Sequence, residues 1–379
     1  MKLESTRAGK LDDNVHENPC FIPVSLPIAD LEFQPKLIAK IVDASHWLGK
    51  LSEAISRSAY AEQIFAMLAK KEAVASAQIE GAKCSLFDLL TVRSITSLNA
   101  DIQEAFNYSV ALRYGMVRLK TLPFSTRFAQ ELHQMIFSGV SHYEGTPGQV
   151  RHIDVFLDDD GHGPAFANYV PPSPNYLEGL MQNWDDFNAN DNETSPLVKI
   201  ALAHYQFEII FPFLDGNGRV GRALIPLYLY QTGMLSLPIL YYSLFIKENY
   251  AHYQGLLNNV RCKGEYEPFL AFFLDGVAKS CQHSFIDIER IEALHAELED
   301  KDLSGVSPVA YQNALKLMFD RPYFKAQDLV SSLKVSKAYV GRIIKSMLEE
   351  KIIAPIDPKK ERNIVYRFTK YADILERGL

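Results

Sequence analysis

Residues 215–222 have the types and spacing of a phosphate-binding loop. Gly216 and Gly218 allow the backbone to turn with its N–H groups on one side, and Gly218 is expected to open a helix whose N-terminus attracts anions. Arg219 and Arg222 lie three residues apart and carry forked guanidinium groups that suit phosphate oxygens. Asp215 precedes the loop, where its carboxylate can hold Mg²⁺ against phosphates. The segment therefore predicts a site for magnesium and a polyphosphate.

Two helices are expected to position this loop. Ser195 and Pro196 form a typical N-cap and first-turn pair, and apolar residues then recur at helical spacing. Pro212 ends this helix because it lacks an N–H and restricts the residue before it. The second helix is expected to run from Gly218 towards Gln231.

More helices are predicted before the loop. Apolar residues recur at helical spacing from Leu37 to Leu68, and the alanine-rich stretch from Phe65 to Ile79 continues the pattern. Gly81 follows as a typical residue after a helix end. Two further helices are predicted at 101–119 and 127–138.

A β-hairpin is predicted between these helices and the loop. Residues 149–157 and 165–170 are rich in strand-forming residues, and a glycine-containing turn at 158–163 joins them. The three consecutive aspartates of this turn either bind a metal or are solvated, and solvation is the favoured interpretation. The first twenty residues are polar and are predicted to be an irregular arm.

The loop and its first helix resemble a known signature. Residues 204–222, HYQFEIIFPFLDGNGRVGR, are similar to the motif of Fic-domain proteins, which typically transfer AMP from ATP to a Ser, Thr or Tyr hydroxyl of a protein. The resemblance extends from about Phe21 to the C-terminus and includes residues 146–148 and Arg151. It implies that the hairpin at 149–170 is the family's flap, which clamps the target segment beside the nucleotide.

The resemblance also implies ATP and Mg²⁺ as ligands and assigns roles to individual residues. Asp215 would bind the metal, and Arg222 would hold the γ-phosphate. Asn217, Gly218 and Arg219 would hold the α- and β-phosphates, with Asn217 and Arg219 also acting in catalysis. The implied nucleotide site comprises Gly216, Asn217, Gly218, Arg219, Gly221, Arg222 and Tyr253, the last of these in the adenine pocket.

One departure from the family pattern changes the expected chemistry. Phe211 stands where the family has a histidine that takes the proton from the attacking hydroxyl. Phenylalanine has no lone pair, and losing a general base typically costs about 10²–10⁴ in rate. His204 lies about 10 Å away along the helix, too far to substitute, and is expected to be a hydrogen-bonded packing residue. His162, on the hairpin turn, is expected to be solvated.

Residues 76–81, SAQIEG, resemble the inhibitory motif of the same family. Ser76 and Glu80 are four residues apart and share a helix face, so Glu80 can project its carboxylate at the helix end, before Gly81. In the family this glutamate pairs with the second arginine of the signature, here Arg222, and blocks productive seating of the γ-phosphate. The alternative is an ordinary exposed glutamate before a glycine.

Residues 305–379 form a basic module, with 14 basic and 8 acidic side chains in a chain of net charge −7. Three helices and two strands are predicted there, at 311–319, 326–333, 338–350, 352–355 and 365–368. This arrangement is similar to a winged helix-turn-helix. The recognition helix would present Lys337, Tyr339, Arg342 and Lys345, and the wing Lys359, Lys360 and Arg362. The cations among them would neutralise DNA phosphates. Docking of a protein partner is the alternative.

Composition limits the setting of the protein. Four cysteines lie far apart, which argues against a disulfide framework and a zinc site and favours a reducing cytoplasm. The first thirty residues show no secretory pattern. The uncharged stretch 223–246 contains prolines, a glycine and tyrosines, so it predicts two buried helices and no membrane span. A homodimer is compatible with the sequence.

These patterns predict a mainly α fold in three parts: residues 1–100 with the inhibitory motif, 101–290 with the core, flap and signature, and 305–379 as a winged helix. The predicted function is an ATP/Mg²⁺-binding protein adenylyltransferase scaffold, autoinhibited by Glu80 and slow or inactive because of Phe211. Its substrate would be a protein hydroxyl, in another protein or in the chain itself. The alternative is a catalytically dead, nucleotide-responsive regulator acting through the winged helix on DNA or a protein partner.

Overall fold

The computed structural model describes residues 3–13, 19–92, 98–157 and 168–379. The fold is mainly α, as predicted. Its helices are α1 Pro35–Arg57, α2 Ala61–Ile79, α3 Leu86–Thr91, α4 Ala100–Arg118, α5 Thr126–Phe137, α6 Pro174–Asn190, α7 Pro196–Ile210, α8 Asn217–Gln231, α9 Tyr242–Glu248, α10 Tyr250–Lys263, α11 Tyr266–Glu299, α12 Pro308–Asp320, α13 Ala326–Leu333, α14 Lys337–Glu349 and α15 Thr369–Glu376. The strands are β1 Gly9–Asp12, β2 Cys20–Pro23, β3 Tyr323–Lys325, β4 Ile353–Pro355 and β5 Val365–Phe368.

Helix α7 lies at the centre of the core. Nearly all of its residues are buried, because it is apolar on every side and packs against α6, α8 and α11. The indole of Trp184 on α6 donates a hydrogen bond to the carbonyl of Ala203 at 2.9 Å, which fixes the two helices together. The end of α7 is therefore held rigidly at the point where the predicted site begins.

The region 223–246 forms the end of α8 and the start of α9, with a break in between. Gly233 adopts a φ of 74°, a left-handed conformation that glycine accepts without strain. Within the described residues, the structure contains no helix with the length and apolar character needed to cross a bilayer.

The prediction of an irregular N-terminal arm is wrong. Strands β1 and β2 pair antiparallel, with Gly9 opposite Pro23 and Asp12 opposite Cys20. Gly9 permits this pairing because a Cβ there would overlap the carbonyl of Ile22. The amide of Phe21 also donates to the carbonyl of Val170, so this small sheet supports the base of the predicted flap.

The continuous helix predicted from position 37 to 79 is divided in two. Helix α1 ends at Arg57, and Ser58 takes an extended conformation with φ −66° and ψ 126°. The ring of Tyr60 then stacks on His295 of α11, with ring centroids 3.4 Å apart, before α2 begins. Side-chain packing at this point overrides the helical spacing of the sequence.

Residues 149–156 do not form the predicted strand. The amide of Arg151 donates to the carbonyl of Pro212, so this segment is tied to the α7–α8 junction. Among the residues of the predicted hairpin that the structure describes, antiparallel pairing consists of one bridge between Leu157 and Tyr169. The predicted turn, its aspartates and His162 lie outside the described residues.

The C-terminal residues form helices close to those predicted, with one additional strand, β3, and one additional helix, α15. Strand β3 pairs with β5, and β5 with β4, giving an antiparallel sheet in the order β3-β5-β4. The ring of Phe319 on α12 stacks on His295 of α11 at 3.4 Å, which fastens this module to the core. The winged-helix assignment and the three-part division remain predictions.

Candidate active site

The junction between α7 and α8 forms a tight loop with an open helix N-terminus. Phe211 has φ 53° and ψ 60°, and Gly216 has φ 84°, so the chain turns through two left-handed residues. Only glycine fits at position 216, because a Cβ would overlap the ring of Phe137. The first N–H groups of α8 have no intrahelical partners, which creates a site for an anion.

The side chain of Asn217 closes this loop. Its Oδ1 accepts from the amide of Phe213, and its Nδ2 donates to the carbonyl of the same residue, both at 2.9 Å. The amide group is buried, and these two bonds use one of its acceptor positions and one of its N–H groups. The role of Asn217 in phosphate binding stays a prediction.

Arg219 is held by two carboxylates. Its Nη1 donates to Glu104 Oε2 at 2.8 Å, and its Nη2 donates to Asp215 Oδ1 at 2.7 Å. Its guanidinium also lies over the ring of Phe137, 4.8 Å from the centroid. Glu104 lies on α4, more than one hundred residues away in the chain, and nothing in the sequence pattern marks it as a partner.

Asp215 is the predicted metal ligand and is the most accessible of these side chains, with 55% of its surface exposed. No group of three candidate ligand side chains occurs in the described part of the chain. A single carboxylate still fits Mg²⁺, because this ion usually takes one or two carboxylates together with phosphate oxygens and water.

Arg222 contacts the predicted inhibitory motif. It donates to Ser76 Oγ at 2.9 Å, to the Ser76 carbonyl at 3.1 Å and to Glu80 Oε1 at 2.7 Å. Gly218 makes this possible, because a Cβ there would come within 2.7 Å of Glu80 Oε1. The pKa of Arg222 lies above its ordinary value. Burial lowers this pKa, but the carboxylates of Glu80 and Glu208 raise it by more, so the guanidinium stays charged.

Glu80 reaches Arg222 because α2 ends beside the start of α8. Glu80 is the C-cap of α2, and Gly81 follows with φ 85°. This is the helix end that the sequence predicted. The structure thus brings the predicted residues 76 and 80 together with the second arginine of the loop.

The backbone of Phe211 is held from outside. Arg151 donates from Nε to the carbonyl of Phe211 at 2.8 Å and from Nη1 to the carbonyl of Ile153 at 3.0 Å. Its Nη2 donates to the carbonyl of Pro172. Burial lowers the pKa of Arg151 to about 10, so these bonds are still made by a cation near neutral pH.

His204 and Tyr253 form a buried pair. The two are joined at 2.9 Å between Nε2 and the hydroxyl, and Nδ1 of His204 lies 3.3 Å from the carbonyl of Gly221. Nδ1 therefore donates to the carbonyl, and Nε2 accepts from the hydroxyl. Burial lowers the pKa of His204 to about 3, so it packs as a neutral ring. The adenine-binding role of Tyr253 stays a prediction.

His133 is a site residue that sequence reasoning missed. Its Nδ1 accepts from the amide of Gly148 at 2.8 Å, which leaves Nε2 to donate to the carbonyl of Asp215 at 3.0 Å. Burial lowers the pKa of His133 to about 4, so the ring stays neutral and keeps this tautomer. It links the turn before the flap to the loop, and a lone histidine on a helix gives no sequence signal for this.

Comparison with known protein families finds two regions of this chain that match family models, and the second contains the α7–α8 loop. Residues 123–229 match the model of the Fic/DOC family, and residues 38–117 match that of the Fic/DOC family N-terminal region. Residues 38–117 and 123–229 are therefore similar to the two regions that these Fic/DOC family models describe.

Two curated relatives are both called Protein adenylyltransferase Fic. The protein from Drosophila willistoni is 31% identical over 180 residues, which cover 47% of this chain and 32% of that protein. The protein from Drosophila grimshawi is 30% identical over 180 residues, which cover 47% of this chain and 34% of that protein. The matched segment spans about a third of the length of these relatives.

Two solved structures share the fold. A Fic family protein from Desulfovibrio desulfuricans G20 has a TM-score of 0.57 and 19% identity, covering 89% of this chain and 97% of that one. A Fic domain containing signaling protein from Bacteroides thetaiotaomicron VPI-5482 has a TM-score of 0.50 and 19% identity, covering 65% of this chain and 98% of that one. At this identity the comparison establishes the fold alone.

Proposed function

We propose that this chain is a Fic-type protein adenylyltransferase scaffold that binds ATP with Mg²⁺ and is built to transfer AMP to a protein hydroxyl. The observation that carries this proposal is the open N-terminus of α8, with two buried guanidinium groups on its first two turns. Main-chain amides and arginines together favour a polyphosphate. The curated relatives, named as adenylyltransferases, support the reaction class.

The proposed AMP transfer needs no reactant besides ATP and the target hydroxyl. A target hydroxyl oxygen forms a bond to the α-phosphorus of ATP, the bond from that phosphorus to the bridging oxygen breaks, and pyrophosphate leaves. The hydroxyl proton must pass to a base. Arg219 and the amides at the start of α8 stabilise the charge that builds on the phosphates. Bound Mg²⁺, held by Asp215, would neutralise phosphate charge.

Phe211 makes the reaction slow or abolishes it. The residue stands at the end of α7, where the family resemblance requires a proton acceptor, and its ring has none. Binding of the nucleotide does not depend on this side chain. The scaffold is therefore expected to bind ATP and to lack fast transfer.

Glu80 is proposed as the inhibitory residue. Its carboxylate already accepts a hydrogen bond from Arg222, the residue proposed to hold the γ-phosphate. A nucleotide that places its γ-phosphate on Arg222 must compete with this contact. Ser76 strengthens the inhibited arrangement by accepting from the same guanidinium.

Incorporation of radiolabelled ATP tests this function. We expect label in protein from the Phe211→His chain and little from the chain as it stands, with Phe211→Leu as the matched control that alters packing without adding a base. Each is measured with and without Glu80→Gly, which removes the proposed inhibition. Equal labelling by Phe211→His and Phe211→Leu would contradict the proposal.

A second candidate function is a catalytically inactive, nucleotide-responsive regulator. Helix α2 favours it, because one end carries Glu80 and the other contacts the C-terminal module, where Gln63 donates to Asp320 on α12 at 2.8 Å. On this proposal, a nucleotide that releases Glu80 shifts α2 and so changes its contact with the C-terminal module. Gel shifts with DNA at increasing salt, with and without ATP, test this. DNA binding that ATP does not alter argues against it.

A further inference from the structure

Glu208 is a buried acidic residue to which the proposed function gives no role. It lies on α7, three residues before Phe211, and its Oε1 is shielded from solvent without a hydrogen-bond partner among the described residues. The side chain keeps 13% of its surface exposed, so the carboxylate lies at the edge of an opening. An unpaired buried acceptor is unfavourable because it has given up its bonds to water.

The packing of α7 against α8 leaves room for this carboxylate. A Cβ at Gly221, at the start of the second turn of α8, would overlap Glu208 Oε1. The glycine thus lets the acid lie directly on the helix that carries Arg222. The carboxylate is therefore beside the proposed nucleotide site.

Several neighbouring donors bond to other partners. His204 Nδ1 is 4.0 Å from Glu208 Oε1, and the two nitrogens of its ring already bond to Gly221 and Tyr253. The Nε and Nη2 groups of Arg222 donate to residues of α2. Burial raises the pKa of Glu208 to about 7, opposed by the charge of Arg222. Within the described part of the chain, Glu208 Oε1 therefore receives no hydrogen bond.

We propose that Glu208 accepts hydrogen bonds from the ribose hydroxyls of the nucleotide, an inference that rests on the proposed function. Fully ionised phosphates offer only acceptors, so a donor for this carboxylate has to come from the nucleoside. A vicinal diol presents two O–H groups that one carboxylate can accept together, as acidic residues do in other nucleotide sites. Glu208 is thus a specificity residue for ribonucleotides.

Calorimetric titration tests this assignment. The probes are ATP, 2′-deoxy-ATP, 3′-deoxy-ATP, inosine triphosphate and inorganic tripolyphosphate, added to the full chain and to its Glu80→Gly variant. We expect ATP to bind at least about 10-fold more tightly than either deoxy analogue, the scale of one hydrogen bond to a charged group. Inosine triphosphate should match ATP, because it keeps the ribose and lacks the adenine amine.

The Glu208→Gln variant separates recognition from packing. It keeps the shape of the side chain, so we expect its affinity for tripolyphosphate to be unchanged while its preference for ATP over the deoxy analogues falls to within about 2-fold. Glu208→Ala should lose the same preference. A purely structural role would not change this ratio.

Three outcomes overturn the assignment. Equal affinities for ATP and both deoxy analogues in the chain with Glu208 intact would show that Glu208 does not bind the ribose hydroxyls. A preference that survives in Glu208→Gln and Glu208→Ala assigns it to another residue. Weak binding of inosine triphosphate, restored to parity with ATP by Glu208→Gln, assigns the carboxylate to the adenine amine. If neither ATP nor tripolyphosphate binds, the proposed function fails as well, which distinguishes that failure from the other three.

Discussion

The end of α7 and the start of α8 are separated by six residues and differ in what they retain. The start of α8 keeps the glycines, the amides and both arginines that suit a polyphosphate. The end of α7 keeps its backbone shape, but its last position carries a phenyl ring. Under the proposed function, nucleotide binding and group transfer depend on different parts of this site. Binding would rest on main-chain amides and guanidinium groups, whereas transfer would rest on one side chain.

The largest expected effect is at the end of α7. Phe211→His should raise the rate of AMP incorporation by about 10²–10⁴, since it supplies the missing general base. Single-turnover labelling with radiolabelled ATP measures the change, in the Glu80→Gly background. A rate for Phe211→His no higher than that for Phe211→Leu would show that the two regions are not divided in this way.

The next effect is at the start of α8. Gly216→Ala should lower the free energy of unfolding by about 2–5 kcal/mol, because it adds left-handed strain and overlap with Phe137. Urea denaturation measures this. Gly233→Ala is the matched control: it has a similar positive φ but no atom near the added Cβ, so about 1 kcal/mol is expected. Equal losses would mean that the Phe137 contact does not constrain the loop.

A smaller effect concerns the contact between Glu80, at the end of α2, and Arg222 on α8. Glu80→Gly should raise ATP affinity by about 5–150-fold, the usual range of coupling between two competing contacts. Calorimetry measures it. Glu350→Gly is the control, because Glu350 is also a helix C-cap with an ion-pair partner, Lys301, and lies outside the site. An identical affinity in both variants argues against inhibition by Glu80.

The smallest effect is in the pH dependence of stability. The pKa of Glu208 is raised from 4.5 to about 7 in the folded chain, so between those values the folded state holds a proton that the unfolded state has lost. This carboxyl therefore makes the free energy of unfolding fall as the pH rises from 4.5 through 7. Glu208→Gln should remove about 1–2 kcal/mol of that fall between pH 5 and 8.

Urea denaturation at both pH values checks this, with the exposed Glu53→Gln as control. Comparing each variant with itself at two pH values removes the constant cost of burying an amide. The same fall in the unaltered chain and in Glu208→Gln would show that Glu208 does not titrate in this range.

Most local features of this fold follow from the sequence. The helices around the loop begin and end near their predicted positions, because Pro196, Pro212 and Gly81 act through the backbone itself. The contact between Glu80 and Arg222 was expected only through the family resemblance. No periodicity joins two residues 142 positions apart.

The features that sequence reasoning missed depend on tertiary contacts. Glu104 meets Arg219 because α4 packs against α8, and its own helix gives no sign of this. Strand β1 forms because Gly9 allows close approach to β2. The predicted strand at 149–156 fails because Arg151 bonds to the α7–α8 junction instead.

The brace from Arg151 has a consequence for how such a site can change over evolutionary time. It grips the carbonyl at position 211 and makes no contact that depends on which side chain projects there. The left-handed backbone conformation at position 211 is thus held by neighbouring residues and not by the side chain at that position. Under the proposed function, one amino-acid exchange at position 211 would therefore change the chemistry while the contacts of Arg151 stay in place.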